Sequence, residues 1–482
     1  MTQAHAATAL FETVAEGLAA TGERRAVWTA ARSVTGTGLL GEVRRVGEDL
    51  VQAGVRPGCA VVVAIPNEVE QLVAVLACAS IGAVSVPVDP SLTDTELERS
   101  IAVLGDGWLL VQSPRSRRVM PDRPRALIDA GRLVECPPLD HLESKDELER
   151  TAMVQLTSGS EGGSKGITIG AEALLERGRA LWGGLGLGGG DRTLCALPLS
   201  HSHGIDCMAL PSLLFGAELF LLPPTAAAPH TVLKLIERER IAFFSSVPGF
   251  YDLTVRLLDE ERFDLSALRV PGCGSAALAP ATAERFLDAF GHAIRQGYGL
   301  AEIGALMVDV DAGENRTFGS VGRPLPGVRC RLTEEGEIVA SSPALANGYL
   351  GRPDLWAEVV RDGELHTSDL ARVDEDGRYF LTGRRSRLMN LDGRQVHPSE
   401  VEEVLLEVDA VREVIVVAEG SPARVVAHVA TAGEVDAVEE LLREHCRTRL
   451  SAWKCPGRYR FHDQLPRSSV GKLLPGRLAE EG

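Results

Sequence analysis

The chain has 482 residues, more than a single hydrophobic core ordinarily serves, so two or more domains are expected. Hydrophobic residues make up 45% and charged residues 24%, an ordinary globular mixture rather than a disordered or fibrous one. A formal net charge of −17 excludes a broadly basic nucleic-acid or anionic-membrane surface and leaves room only for local Arg and Lys clusters that hold a small anion.

Nine cysteines are scattered singly, with no C-x-x-C pair and no zinc spacing, as expected of unpaired thiols in a reducing cytosol. The N-terminal MTQAHAATALFETVAEGL lacks a basic start followed by an apolar run, so a cytoplasmic location is expected.

Residues 39–90 alternate between helix and strand. LLGEVRRVGEDLVQAG places Leu39, Val43, Val46 and Leu50 at helical spacing and closes on Gly54. AVVVAI at 60–65 is apolar without alternation, as in a strand covered on both faces. The long apolar run at 71–90 is broken by Gly82, Pro87 and Asp89, and reads as a helix and a buried strand rather than a membrane span. Thr93 and Glu96 have capping-box spacing, and WLLV at 108–111 is a further strand. Repeated β-α-β units predict a parallel sheet with helices on its faces. The Pro- and Arg-rich stretch 113–150 reads as irregular connection.

Strands and helices continue through 194–300. Residues 316–382 carry short alternating runs with Gly and Pro turns, which predicts antiparallel β and a small barrel. After a boundary near Gly383–Arg387 follow a helix, two strands and a second helix, a compact α+β unit. GLGLGG at 184–189 matches G-x-G-x-x-G, but a helix precedes it and a strand follows. A dinucleotide fingerprint needs the reverse order, so a helix-to-strand turn is predicted.

LTSGSEGGSKG at 156–166 follows the strand AMVQL and offers Thr157, Ser158, Gly159, Ser160, Gly162 and Lys165. Glycines let a backbone approach phosphate, hydroxyls donate to it, and lysine adds charge. The stretch is not G-x-x-x-x-G-K-[ST], which disfavours a P-loop ATPase. QGYGLAEIG places Tyr298 and Glu302 around a glycine turn, HTSDLA offers Asp369, GRRSRL offers Arg384, and LPRSSVGKLL places Lys472 behind another glycine. Together they supply groups for a base, a ribose, phosphates and a hard cation.

With these motifs the chain resembles the adenylate-forming enzymes: acyl-CoA synthetases, luciferases and peptide-synthetase adenylation domains. The resemblance runs from about residue 39 to 478 and takes in GSVGRPLPGV, GEIVASSPALANGYL and LSAWKCPGRYRFHDQLPRSSVGKLL in order. LPLSHSHG at 197–204, with its P-x-x-H-x-x-G form, and HPSEVE at 397–402 place it closest to acyl-CoA ligases.

The resemblance implies an α/β fold. A large adenylate- and acyl-binding domain, residues 1–383, would hold two layered α/β sheets and a small β-barrel. A small mobile α+β domain, residues 384–482, would carry Lys472 and swing on a hinge near Ser386. It implies that a carboxylate attacks the α-phosphorus of ATP with Mg²⁺ present, and that coenzyme A then takes the acyl group from the adenylate. The 157–165 loop would hold phosphate; Gly274, Ser275, Ala276, Tyr298, Gly299 and Ala301 would surround the nucleotide; Asp369 and Arg384 would hold ribose. Glu302 would sit at the metal, and Lys472 and His201 would act at the carboxylate. His201, Ile205, Phe244, Gly297, Leu300 and Met307 would line the acyl pocket, within segments 201–215, 243–251 and 297–307. Gly393, Lys454 and Arg458 would meet coenzyme A, with Arg387 and Arg460 as further cations. Asp206 reads as a cap beside a His–Gly turn rather than a group that greets an amine. A hydrophobic or bulky cyclic acid is expected, with neither nucleic acid nor membrane as partner.

The chain departs from the family pattern at Glu161, where threonine is usual, at Ser164, where proline is usual, at Ala301, where threonine is usual, and at the hinge residue Ser386. A carboxylate about 4 Å from one phosphate charge, at an effective dielectric near 20, costs roughly 4 kcal/mol. A lost charge-assisted bond costs roughly 1.5–3 kcal/mol more. Two alternatives to a complete ligase therefore stand. One is a variant that only thioesterifies a preformed acyl-adenylate supplied by a separate adenylating enzyme. The other is an acyl-AMP ligase loading a carrier protein, or a silent binding module.

Overall fold

The computed structural model describes residues 6–116, 124–136, 139, 142, 145–157, 165–258, 261–310, 317–387, 389–391, 394–420, 424–431, 434–467, 473 and 478. Two large sheets dominate it. In the first, the strands Met153–Thr157, Val84–Pro87, Ala60–Ala64, Trp108–Gln112 and Arg125–Asp129 run parallel, in that spatial order. Lys165–Ile169 and Gly348–Tyr349 extend it antiparallel at one edge, and Arg132–Glu135 at the other. Helix Val69–Ser80 is buried at every residue but its last, which accounts for the apolar 71–90 run as a core helix and strand. No helix among the described residues is long and apolar enough to cross a membrane.

The local signals act as expected in this half. Leu39, Val43, Val46 and Leu50 form the buried stripe of helix Gly36–Ala53, which ends on Gly54 at φ 112°. Thr93 and Glu96 form both halves of a capping box. The stretch 113–150 is a correction: it contains the hairpin Arg125–Asp129/Arg132–Glu135. Its two-residue turn places Ala130 at φ 48° and Gly131 at φ 71°. Two positive φ values make the turn that suits a twisted hairpin, but Ala-Gly lacks the Asn-Gly signature that announces it.

The second sheet has nine described strands, in the order Arg323–Pro324, Gly304–Val308, Arg295–Leu300, Val270–Cys273, Phe243–Ser246, Arg192–Cys195, Glu218–Leu221, Arg25–Trp28 and Ser33–Thr35. It is parallel through its middle and antiparallel at both edges. Helix Ala171–Leu185 precedes the glycines at 186–190 and strand Arg192–Cys195 follows, which confirms the turn reading of GLGLGG.

Over 316–382 the structure differs from the expected small barrel. Five antiparallel strands pair as Arg329–Leu332, Glu337–Ser341, Glu364–Val373 and Val360–Arg361, with Tyr379–Arg384 branching from Glu364–Val373. No pairing among the described strands closes them. Arg323–Pro324 and Gly348–Tyr349 join the two large sheets instead. Two-residue strands carry almost no pattern of their own, and their neighbours decide the pairing. Beyond residue 389, helices Pro398–Leu406 and Val435–Arg449 pack on a three-stranded sheet with its own apolar core.

One side chain ties the large sheets together. Asn67, 3% exposed, follows the strand Ala60–Ala64. Its Nδ2 donates to Leu197 O at 2.7 Å and to Leu222 O at 3.2 Å, and its Oδ1 accepts from Leu199 N at 3.2 Å. It thereby fixes the start of the P-x-x-H-x-x-G segment. At about 1 kcal/mol per bond, Asn67→Ala should lower unfolding stability by about 2–3 kcal/mol. Urea unfolding checks this, and an unchanged midpoint would show that the three bonds are dispensable.

Candidate active site

Four parallel strands, Arg192–Cys195, Phe243–Ser246, Val270–Cys273 and Arg295–Leu300, lie side by side. Their carboxyl ends lead into the segments that carry His201, Gly274–Ala276 and Glu302, the usual place for a ligand in an open α/β sheet. The His201 segment folds back tightly. His201 N donates to Pro198 O at 3.1 Å, and Gly204 N donates to His201 O at 3.0 Å. A Cβ at 204 would lie 2.3 Å from Pro198 O, so glycine is required at the end of the motif. A π-turn over Ile205–Ala209 follows.

Burial holds the His201 imidazole below its usual range, and the nearby Asp89 carboxylate pulls it partly back. His203 is pushed down to about 4 by burial and by His201. Its Nδ1 lies 3.0 Å from Ser275 Oγ and its Nε2 2.7 Å from Ser245 Oγ. Ser275 takes a left-handed backbone at φ 70°, and a Cβ on Gly274 would approach the His203 ring to 3.2 Å. The turn at Gly274, Ser275 and Ala276 is thus shaped around His203.

Tyr298, Asp369 and Arg384 meet in one hydrogen-bonded set. The Tyr298 hydroxyl donates to Asp369 Oδ2 at 2.7 Å, and Arg384 Nε donates to Asp369 Oδ1 at 2.7 Å. A carboxylate has about four acceptor positions, so two remain for other donors. Burial and the Asp369 charge push the Tyr298 phenol up, so it stays a donor. Gly299 sits at a bulge, where a Cβ would lie 2.3 Å from Gly304 O.

A second set gathers Lys165, Tyr349 and Glu302. Thr157 and Lys165 pair across the antiparallel ladder Met153–Thr157/Lys165–Ile169. Lys165 Nζ stands 4.8 Å from the Tyr349 ring centroid, and the Tyr349 hydroxyl donates to Glu302 Oε1 at 2.7 Å. No group of three or more His, Cys, Asp or Glu among the described residues forms a metal cage. A single partly exposed carboxylate still fits Mg²⁺, which is bound through one or two carboxylates together with substrate phosphates and water.

Ile205 and Met307 are buried in the main core, with Leu300 and Ala301 packed against it, and Gly297 lies beside Val308 and Cys273. Phe244 packs with Phe250 at 5.1 Å and Tyr251 at 6.5 Å in a separate cluster. Its neighbour Phe243 belongs to the main core, against Trp182 at 6.1 Å. Successive strand residues face opposite sides, so the two phenylalanines enter different clusters.

Lys454 is bonded to Glu400 at 2.7 Å, Arg387 to Glu402 at 2.6 Å and Arg460 to Glu419 at 2.7 Å. Arg458 lies exposed, and no carboxylate among the described residues pairs with it. Ser158, Gly159, Ser160, Glu161, Gly162, Ser164, Gly393 and Lys472 lie outside the described residues.

Asp206 is a correction. Among the described residues it caps no backbone group; it is fully buried against Arg177 Nη1 at 2.7 Å, Gln155 Nε2 at 2.9 Å and Ser202 Oγ at 2.7 Å.

Residues 14–350 match the family model "AMP-binding enzyme" and residues 400–472 match "AMP-binding enzyme C-terminal domain". The chain belongs to the AMP-binding enzyme family. Within it, a feruloyl-CoA synthase of Amycolatopsis sp is 33% identical over 470 residues, covering 91% of this chain and 92% of that protein. An ATP-bound RpMatB-BxBclM chimera superposes with a TM-score of 0.87 at 26% identity, covering 99% of both chains. The amide bond synthetase McbA from Marinactinospora thermotolerans gives 0.86 at 28%, covering 98% of this chain and 99% of that one. The family assignment and the α/β architecture expected from the motifs therefore hold.

Four residues of the site were not singled out from the sequence: Asn67, Arg177, His203 and Tyr349. Arg177 had a usable signal, because it stands on the apolar helix face between Leu174 and Leu181. Tyr349 lies in a quoted family segment, but nothing local connects it to Glu302.

The His203 geometry predicts a pH effect. The folded protein refuses a proton that the unfolded chain takes up below the ordinary value of 6.5. Stability is therefore complete above that pH and is lost as the pH falls toward about 4. Thermal melting of the wild type should decline more steeply across this window than that of His203→Gln; parallel slopes would contradict the assignment.

Proposed function

We propose that the chain is an AMP-forming acid–CoA ligase acting on a lipophilic aromatic acid. The reading rests on the Tyr298–Asp369–Arg384 set, which offers a ring, a carboxylate and a guanidinium at the point where a nucleoside would lie. The feruloyl-CoA synthase similarity over 91% of the chain supports the acid class and the thiol acceptor.

In the first step a substrate carboxylate oxygen bonds to the α-phosphorus of ATP, and the bond to pyrophosphate breaks. Thr157 and Lys165 flank the phosphate loop, and Asp369 and Arg384 orient ribose. Glu302, held by Tyr349, would bind Mg²⁺, which neutralises phosphate charge when present. His201, its pKa lowered by burial, would stand beside the substrate carboxylate. In the second step the coenzyme A thiol gives its proton to solvent, its sulfur bonds to the acyl carbon, and the bond from that carbon to the AMP oxygen breaks. Residues 1–383 form the large domain in this reading. Residues 384–482 form the mobile one, carry Lys472 and turn near Ser386. Arg458, with Gly393 and Lys454, faces coenzyme A.

Glu161 and Ala301 favour a second reading, thioesterification of a preformed adenylate alone. ATP–pyrophosphate exchange with hydroxycinnamic acids, run beside thioester formation from synthetic adenylates, separates the two. Exchange is expected in the wild type. Asp369→Asn and Glu302→Gln should each lower it by about a hundredfold, near 2.7 kcal/mol of transition-state stabilisation. No exchange with rapid thioester formation would establish the second reading instead.

A further inference from the structure

We propose that Arg177 is a positioning residue of the adenylation step, setting the Ala301–Glu302 turn against the acid-binding His201–Ser202 segment through its buried pair with Asp206. The inference rests on the two-step reading above.

The Arg177 side chain is 1% exposed and that of Asp206 0%. Arg177 reaches three segments distant in sequence. Nη1 donates to Asp206 Oδ2 at 2.7 Å, Nη2 to Ala301 O at 3.0 Å and Nε to Ala344 O at 3.2 Å. Asp206 accepts in turn from Ser202 Oγ at 2.7 Å, beside His201, and from Gln155 Nε2 at 2.9 Å, on the strand that ends at Thr157. Gly304 leaves space for this fork: a Cβ there would lie 2.6 Å from Arg177 Cγ.

Glu302 is fixed from both sides of the same network. Its preceding carbonyl, at Ala301, is held by Arg177. Its own carbonyl accepts from Ala346 N at 2.7 Å, two residues beyond the Ala344 carbonyl that Arg177 also holds. One guanidinium therefore sets the phosphate-loop strand, the acid segment and the Glu302 turn at fixed distances from each other.

Stability alone does not account for the arrangement. The desolvation penalty of a buried ion pair can exceed its Coulombic gain, and apolar replacements of both partners are often as stable. What an apolar pair cannot supply is three aimed donors in one rigid plane. A misplacement of about 1 Å at a reacting centre costs about a hundredfold in rate.

The test compares the wild-type full chain with Arg177→Lys, which keeps the charge and loses the fork, and with Arg177→Met/Asp206→Asn, which removes both charges. Arg177→Met alone leaves a buried unpaired carboxylate and is a folding control. Melting temperature and ATP–pyrophosphate exchange are measured on each. The expected result is that at least one of the first two variants melts within about 5 °C of the wild type. Its kcat for exchange should fall thirtyfold or more while its KM for ATP stays within threefold. A well-folded variant with kcat within threefold of wild type overturns the inference and leaves adenylation intact. If neither variant folds, the pair is purely structural and the inference is rejected. A wild type silent in exchange rejects the adenylation reading itself, and the inference with it.

Discussion

The contact at which most segments of the candidate site converge is the Arg177–Asp206 pair. A helix, a strand, a π-turn and the turns at Ala301 and Ala344 converge on this fully buried pair. Each of these segments presents polar groups to the interior, and an unpaired one there would cost heavily. A single planar cation with five donors serves two carbonyls and a carboxylate. The carboxylate serves a hydroxyl and an amide. Asn67 does the same on a smaller scale, serving three backbone groups between the sheets. Arg177, Asp206 and Asn67 each satisfy several buried polar groups at once.

Around this framework, the candidate binding groups are held by their neighbours within the chain itself. Asp369 is positioned by a phenol and a guanidinium, Glu302 by a second phenol, and the Ser275 turn by a neutral imidazole. Both phenols are pushed up by burial beside carboxylates, so they remain donors throughout the ordinary pH range. The chain is strongly acidic overall, yet two of these sets include a cation, Arg384 beside Asp369 and Lys165 beside Tyr349. Field lines at a site follow the local groups, not the net charge.

Much of this was legible in the sequence, and the parts that were not share a cause. Helix Gly36–Ala53, the capping box at Thr93 and the core helix at 69–80 follow from period and punctuation, which are local properties. So does the rejection of GLGLGG, which rests on element order. The family motifs gave Tyr298, Asp369 and Arg384, and the structure brings them together. The misses needed information that the local chain does not carry. Ala130–Gly131 makes a hairpin turn without its usual residues. The roles of Arg177, His203 and Tyr349 arise from partners dozens of positions away.

The strand pair around the phosphate loop carries a consequence of another kind. Thr157 and Lys165 are ladder partners, and the strands behind them are built into the eight-stranded sheet. The seven residues between them, 158–164, therefore connect two anchors whose spacing the sheet sets. The entropic cost of joining two such anchors grows only slowly with the length of chain between them. The strand pair is in effect a socket. A family built on it can vary the sequence between the anchors, as at Glu161 and Ser164 here, while the sheet that sets their spacing stays the same.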